Sequence, residues 1–386
     1  MNNFRYNVVT DVRFGKRSIL QLKEVVELYG GKNILIVYGG GSIKKNGIYD
    51  DVVSVLKDCN VCELSGIEPN PDISKVREGA KICKEKNIDC IVAVGGGSVI
   101  DTAKCIGAGA YYDSDPWDLV EDGSKIGKVL PIIAVLTISA TGSEMNKNAV
   151  ISDKTRNIKL GTSSLDFIPK AAICDPEYLY SLPSIQTAAG TADIMSHIFE
   201  QYFRKDTGAT VSDHIAEALL KTCIEYCKVA IDEPKNYEAR ANLMWASSLA
   251  LNSLISCGKE GAWSCHPIEH EMSAYYDITH GIGLAIITPR WMRYILNDSN
   301  VSKFAQYGRN VWDIRESDDK KCAESAIDKT ENFFKECGIP MTMKEVNIDS
   351  SKYEIMAEAA VRNNSLDKAF VPLNKEDIVN IFRMCE

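Results

Sequence analysis

Two stretches of this chain are one device used twice: ILIVYGGGSI at 34–43 and IVAVGGGSVI at 91–100. Each is an apolar run that ends in three glycines and a serine. A short apolar run closed by turn residues reads as a strand buried on both faces, which is what a parallel sheet requires. Glycines directly after a strand let the backbone approach a phosphate, and a following helix offers unpaired N–H groups at its positive end. Three glycines can equally serve the packing of a tight turn. Two such turns at the carboxyl ends of strands in one sheet strengthen the phosphate reading, because ligands of open α/β sheets bind on that side. Neither stretch matches GxGxxG with an acidic residue about 20 positions on, so the dinucleotide fingerprint is absent.

The rest of the first half continues the alternation. The pattern predicts strands at 32–38, 61–64, 90–94, 131–138 and 171–174, and a hairpin at 148–153 and 157–162. Helical periodicity falls at 48–57, at 99–108 and after Asp72, a natural N-cap, to 86. Strands alternating with helices predict a mostly parallel α/β sheet. After Leu182-Pro183 only helical segments remain, at about 184–203, 210–230, 236–256, 266–276, 281–296, 300–313, 319–336 and 374–384. Pro289 lies inside one of them and is expected to bend or break it. A chain of 386 residues exceeds the usual size of one core, so two domains are predicted: 1–182 α/β and 183–386 all-helical.

Composition removes several function classes. A net charge of −9 argues against nucleic-acid and anionic-membrane partners. No apolar run approaches the roughly 20 residues that span a bilayer. The opening MNNFRYNVVTDVRFGK lacks the apolar core of a secretory signal. Thirteen scattered cysteines, an odd number, suggest reduced thiols in a cytoplasmic protein. Cys59 and Cys62 form a lone CxxC, which reads better as two thiols beside a strand than as half a zinc site.

The histidines carry the chemistry. The chain has five, and three lie in CHPIEHEMSAYYDITH, at His266, His270 and His280. His197 follows Asp193 by four residues in a helical segment, and residues so spaced share a helix face. His266 and His270 repeat the spacing, with Pro267 suited to a first turn. Each pair alone could be a local hydrogen bond or a solvated face. Together, Asp193, His197, His266, His270 and His280 offer four ligands from five candidates. A mixed carboxylate and imidazole set suits Zn²⁺ or Fe²⁺ and is too rich in nitrogen for Mg²⁺ or Ca²⁺. His214 has no partner at useful spacing and reads as surface or structural.

The combination of GGGSVID (95–101), TGSE (141–144), Asp193-x3-His197 and His266-x3-His270-x9-His280-Gly281 resembles the iron-containing (group III) alcohol dehydrogenases. Within them it is most similar to the branch of NADPH-dependent butanol dehydrogenases and broad aldehyde reductases. FGK (14–16), GGGSIKKNG (39–47), GIEPNP (66–71) and DPWD (115–118) support this, from the N-terminus to past residue 290. The resemblance implies a dehydroquinate-synthase-like architecture: a Rossmann-like, mostly parallel α/β domain, an all-α domain, and NAD(P) bound between them. It implies Asp193, His197, His266 and His280 as ligands of one divalent ion, and His270 as a histidine near the nicotinamide and substrate. Gly95, Gly96, Gly97, Ser98 and Asp101 match its pyrophosphate loop. Thr137, Thr141, Ser143, Asn70 and Lys159 match further cofactor contacts. Family members are usually at least dimers, so a homodimer is expected. Pro267 stands where many members have glycine, which alters pocket shape rather than ligands.

The resemblance also bears on cofactor choice. NAD-preferring relatives carry an acidic residue at the end of the first sheet strand. Here Gly39, Gly40, Gly41 and Ser42 occupy that turn, followed by Lys44 and Lys45. Glycine amides, a hydroxyl and the Lys45 ammonium would accept a 2′-phosphate that a carboxylate would repel. The expected reaction is hydride transfer between NADP(H), or alternatively NAD(H), and a short-chain primary alcohol or aldehyde of the butanol type. His270 is the candidate proton relay, with plain packing beside the site as its alternative. Rival readings are a dehydroquinate-synthase-like or glycerol-dehydrogenase-like enzyme, and a metal-stapled nucleotide sensor without turnover. No Lys/Arg cluster fit for a phosphorylated substrate surrounds His266–His280; Trp263, Ile268, Met272, Tyr275 and Tyr276 suit an apolar aldehyde instead.

Overall fold

The computed structural model describes residues 1–205 and 208–386. The strands are β1 (Asp11–Phe14), β2 (Asn33–Tyr38), β3 (Asn60–Leu64), β4 (Cys90–Gly95), β5 (Ile132–Leu136), β6 (Asn148–Asp153), β7 (Ile158–Ser163) and β8 (Ala171–Cys174). Six form one sheet in the order β1-β8-β5-β4-β2-β3, parallel throughout. β6 and β7 form a separate antiparallel hairpin. The sheet is parallel, as the alternation predicted, and Rossmann-like, as the resemblance implied, with helices on both faces. On one face Leu35, Val37, Ile91 and Ala93 pack with Ile73, Val76, Ile100 and Ile106 of the helices Ile73–Lys86 and Gly97–Gly109. On the other, Ile34, Ile36, Val92 and Val94 pack with Val25, Val26, Ile48 and Val52. Because strands are buried on both sides, they read as continuous apolar runs. β1 went unread: DVRF is short and charged, as suits a sheet edge.

The chain divides into two compact units, and the division is not a single cut. One comprises Asn7–Leu182 with Pro234–Asn252; the other comprises Met1–Tyr6, Pro183–Glu233 and Ser253–Glu386. The expected segments 1–182 and 183–386 are therefore crossed twice. The helix Tyr237–Ala250 joins the α/β unit because Met244 lies in that core and the Ser248 hydroxyl donates to the buried Glu144 carboxylate at 2.5 Å. At the N-terminus, the Asn2 N–H donates to the Gly258 carbonyl at 3.1 Å.

The second unit is helical: Ser184–Tyr202, Thr210–Asp232, Cys265–Tyr276, His280–Ile295, Val301–Trp312, Asp319–Glu336, Tyr353–Asn363 and Lys375–Met384. Tyr353–Asn363 escaped the sequence reading, although Tyr353, Met356, Ala357 and Ala360 bury one face. Pro289 does not break its helix, which runs on to Ile295. Its penalty of about 3 kcal/mol is offset by the burial of Leu284, Ile286, Ile287, Trp291 and Met292 around it. All thirteen cysteines are free thiols. Among the described residues no helix is long and apolar enough to cross a membrane.

Two positions test this packing. Asp72 caps Ile73–Lys86 by accepting from the Ser74 N–H at 2.9 Å, and its other oxygen accepts from the Lys154 N–H at 3.1 Å. Burial pushes its pKa up, but these N–H donors outweigh it and hold the carboxyl below its ordinary value. Its contribution is thus present above the ordinary carboxylate range and lost as pH falls through the lowered pKa. Asp72→Ala should cost about 1–2 kcal/mol in urea denaturation at neutral pH, with a smaller difference from the parent in strong acid. At Gly281, a Cβ would stand 2.0 Å from the carbonyl oxygen of Ala189, a backbone atom that cannot turn aside. Gly281→Ala should force the helices Ser184–Tyr202 and His280–Ile295 apart, costing about 1–3 kcal/mol and lowering the thermal midpoint.

Candidate metal centre

The helix Ser184–Tyr202 presents Asp193, His197 and Glu200 at i, i+4 and i+7, one face of two turns. His266 lies in the first turn of Cys265–Tyr276, and His280 opens the next helix, brought close by the glycine contact at Ala189. Asp193 Oδ1 is the meeting point. It lies 3.5 Å from His197 Nδ1, 3.7 Å from His266 Nε2 and 3.7 Å from His280 Nε2. Asp193, His266 and His280 each place one donor atom within 4.8 Å of the other two. His197 stands at the edge of that set, its ring 4.5 Å from that of His266 at an interplanar angle of 31°. His270 is outside it, half-buried, with its ring 5.6 Å from His280 and 6.4 Å from His266.

Asp193, His197 and His266 are buried, and Asp193 Oδ1, His197 Nδ1 and His266 Nε2 have no hydrogen-bond partner. Buried polar atoms left in that state cost about 1–3 kcal/mol each, so three converging ones call for a common partner. The electrostatics agree. Burial works against the Asp193 carboxylate, yet the surrounding imidazoles hold its pKa down to about 2. Burial drives His197 down to about 4, against the pull of Asp193. Burial opposes a charge on His266 too, but Asp193 and Glu200 overcome it and raise its pKa to about 9. A carboxylate and neutral imidazoles around one point are the donor set of a divalent ion of the Zn²⁺ or Fe²⁺ kind, which would replace the His266 proton.

Two carboxylates missed in the sequence stand behind the imidazoles. Glu200 Oε1 lies 3.3 Å from His266 Nδ1, and Glu269 Oε2 is in hydrogen-bond contact with His280 Nδ1. The i+7 spacing from Asp193 was a visible signal for Glu200. Glu269 had none. The apolar set named above is only partly at the site. Trp263 packs its ring 4.6 Å from that of His266 and 5.7 Å from that of His197. Ile268 and Met272 are fully buried in the core, and the rings of Tyr275 and Tyr276 lie under the Lys352 ammonium. His214 lines a surface depression with Glu217, Lys221 and Arg309.

In the α/β unit, the chain leaves β2 for β3 on one side and returns to β4 on the other. The carboxyl ends of β2 and β4 thus flank a topological switch point, where open α/β sheets bind ligands. Both glycine turns sit there, and they differ. A Cβ at Gly95 would meet Val99 at 2.5 Å, at Gly96 Ile138 at 3.1 Å, and at Gly97 Thr141 at 2.4 Å. A Cβ on Gly39 would come 3.3 Å from the Ile67 carbonyl, whereas Gly40 and Gly41 face open space, Gly41 turning the chain at φ 103°. The second turn is therefore required by packing, and the first leaves room.

The remaining cofactor candidates gather by these turns. The Thr137 N–H donates to the Gly95 carbonyl at 3.1 Å, and Ser98 is half-buried in the first turn of its helix. Asp101 accepts from the Ser143 hydroxyl at 2.5 Å and the Val150 N–H at 2.9 Å, while Thr141 Oγ1 accepts from the Ser143 N–H at 3.2 Å. Lys159 Nζ donates to Asn70 Oδ1 at 2.9 Å. Ser42 and Lys45 are exposed, whereas Lys44 is held 3.5 Å from Glu63 and over the rings of Tyr38 and Tyr49. Lys104, unnoticed in the sequence, is fully buried beneath this region and donates to Ser143, Asn146 and Asn148. Burial lowers its pKa to about 8 against the pull of Asp101 and Glu144.

The chain is similar to known proteins over nearly its whole length. Residues 9–176 match the family described as iron-containing alcohol dehydrogenase, and residues 187–385 match the Fe-containing alcohol dehydrogenase family, C-terminal. NADH-dependent butanol dehydrogenase A of Clostridium acetobutylicum is 54% identical over 99% of each chain. NADPH-dependent aldehyde reductase YqhD of Escherichia coli is 41% identical over 91% of each. The crystal structure of NADH-dependent butanol dehydrogenase A from Thermotoga maritima superposes with a TM-score of 0.96 at 38% identity, covering 100% of this chain and 99% of that one. With both halves matched and these relatives aligned nearly end to end, the chain belongs to the iron-containing alcohol dehydrogenase family.

Proposed function

We propose that Asp193, His197, His266 and His280 hold one divalent ion, Fe²⁺ or Zn²⁺, and that the protein interconverts short-chain primary alcohols and aldehydes of the butanol/butanal type with a nicotinamide cofactor. The observation that carries the metal reading is the convergence of buried donor atoms without hydrogen bonds at Asp193, His197 and His266. The names of the Clostridium and Escherichia relatives support the substrate class. When bound, the ion supplies Lewis acidity toward a carbonyl oxygen and the nicotinamide supplies the hydride. The chain's own contributions are more specific. Asp193 gives the one negative charge of the donor set. Trp263 covers one side of the His197 and His266 rings and limits water there. His270, left over from the ligand set and half-buried, is the candidate to move a proton to or from the substrate oxygen. Gly95–Ser98, Asp101, Thr137, Thr141, Ser143, Asn70 and Lys159 are assigned to the cofactor.

Two cofactor readings have specific support. The open turn Gly39–Ser42, with no carboxylate in it and Lys45 exposed beside it, favours NADP(H). Glu63, which engages Lys44 beside the same turn, favours NAD(H), as do the names of the relatives at 54% and 51% identity.

Asp193→Ala should lose the metal while remaining folded; unchanged metal content would refute the ligand set. His270→Ala should keep the metal and lower kcat for butanal reduction by about 10²-fold. Absence of turnover with any short aldehyde by the metal-loaded protein would favour the sensor reading. A higher kcat/KM for NADPH than for NADH, selectively reduced by Lys45→Ala, would support the first cofactor reading. The reverse order, with NADPH use improved by Glu63→Gln, would support the second.

A further inference from the structure

His266 and His280 stand in the same relation to Asp193, and each has a buried carboxylate at its back. The Nε2 atom of each lies 3.7 Å from Asp193 Oδ1. The Nδ1 atom of His266 faces Glu200 Oε1 at 3.3 Å, and that of His280 is in hydrogen-bond contact with Glu269 Oε2. A neutral imidazole donates from one nitrogen and accepts at the other, and the bond made by one nitrogen selects which. A carboxylate at Nδ1 keeps the proton there and leaves the Nε2 lone pair directed at the point where the donors meet. His197 is turned the other way round, with Nδ1 as the nitrogen that faces Asp193 Oδ1, at 3.5 Å.

The place of Glu269 is built rather than incidental. Its side chain is fully buried, and its second oxygen accepts from the Ser273 hydroxyl. A Cβ at Gly283 would stand 2.7 Å from Glu269 Cγ and 2.9 Å from Oε1, so this glycine, in the first turn of the helix His280–Ile295, leaves the space this carboxylate fills. Glu200 has a second duty. It accepts from the backbone N–H of Ser264 at 2.8 Å and of His266 at 2.9 Å, which fixes the start of the helix Cys265–Tyr276. Loss of Glu200 would disturb that helix start as well as the ring, whereas Glu269 offers its carboxylate to His280 and stands within 4.8 Å of a His270 nitrogen.

We propose that Glu200 and Glu269 are positioning residues that set the tautomer and aim of His266 and His280, and that Glu269 tunes the affinity of the centre through His280. The inference rests on the metal-centre reading above. Carboxylates in this relation to ligand histidines typically contribute 10–100-fold to metal affinity.

The test compares two variants that fill the same volume. Glu269→Gln keeps an oxygen that can accept the His280 Nδ1–H; Glu269→Leu removes the acceptor. Zinc dissociation constants are measured on the full-length protein by competition with a chromophoric chelator, and the visible d–d spectrum is recorded after substitution with Co²⁺. Glu269→Leu is expected to weaken zinc by about 10–100-fold and to change the Co²⁺ spectrum. Glu269→Gln should keep a parent-like spectrum and lose less affinity. If the leucine variant does not fold, Glu269→Ala takes its place in the comparison. Parent-like zinc affinity without the acceptor, or equal losses in both variants, would overturn the proposal. Asp193→Ala is measured alongside: if it retains zinc, the metal-centre reading itself fails, and if it alone loses zinc, only the positioning role of Glu269 does.

Discussion

A carboxylate buried among imidazoles is the constraint around which the helical unit is arranged. An ionised Asp193 in the interior is tolerable only where opposite charge or donors meet it. The meeting draws together segments far apart in sequence: the helix Ser184–Tyr202, the first turn of Cys265–Tyr276, and the start of His280–Ile295. Gly281 lets the last of these reach the backbone of Ala189, and Gly283 leaves room for Glu269. Packing and chemistry are not separable here, since the residues that permit the close approach flank the histidine that the approach delivers.

The α/β unit solves a different problem with the same economy of backbone. The inner strands of a six-stranded parallel sheet are buried on both faces, and the reversal of strand order between β2 and β4 opens a crevice at their carboxyl ends. The two glycine turns that line it are alike in sequence and unlike in circumstance. Gly95, Gly96 and Gly97 are hemmed in by Val99, Ile138 and Thr141, whereas Gly40 and Gly41 have nothing near them. Repeated letters thus carry two meanings, close packing in one turn and open space in the other. Beneath them, the fully buried Lys104 braces Ser143 and the start of the hairpin from below.

Much of this could be read from the chain before any coordinates. Periodicity located the buried strands and most helices because two-sided burial and amphipathic faces write directly into residue order. It failed where burial was weak or geometry non-local. β1 is a charged edge, and Tyr353–Asn363 spreads its apolar face over alanines. Pro289 was expected to bend or break its helix, and the break does not occur, because the helix runs on to Ile295. At the centre, spacing was enough to nominate Asp193 and the histidines, and would have been enough for Glu200. Glu269 was beyond reach, because its significance depends on His280 arriving from the next helix. Tyr275 and Tyr276 mislead for the converse reason: near the histidines in sequence, they lie against Lys352 in space.

The path of the chain between its two units has a consequence for how the molecule is made. The α/β core includes Met244, and the buried carboxylate of Glu144 is satisfied by Ser248. During synthesis this unit therefore remains incomplete after residue 182 has emerged. It must wait while the helices Ser184–Tyr202 and Thr210–Asp232, which belong elsewhere, are produced ahead of the segment it needs. The opposite holds for Met1–Tyr6, which precede the α/β unit in the chain and yet belong with Pro183–Glu233 and Ser253–Glu386. The α/β core can thus close only once Pro234–Asn252 has emerged, and the helical unit only once Ser253–Glu386 has followed.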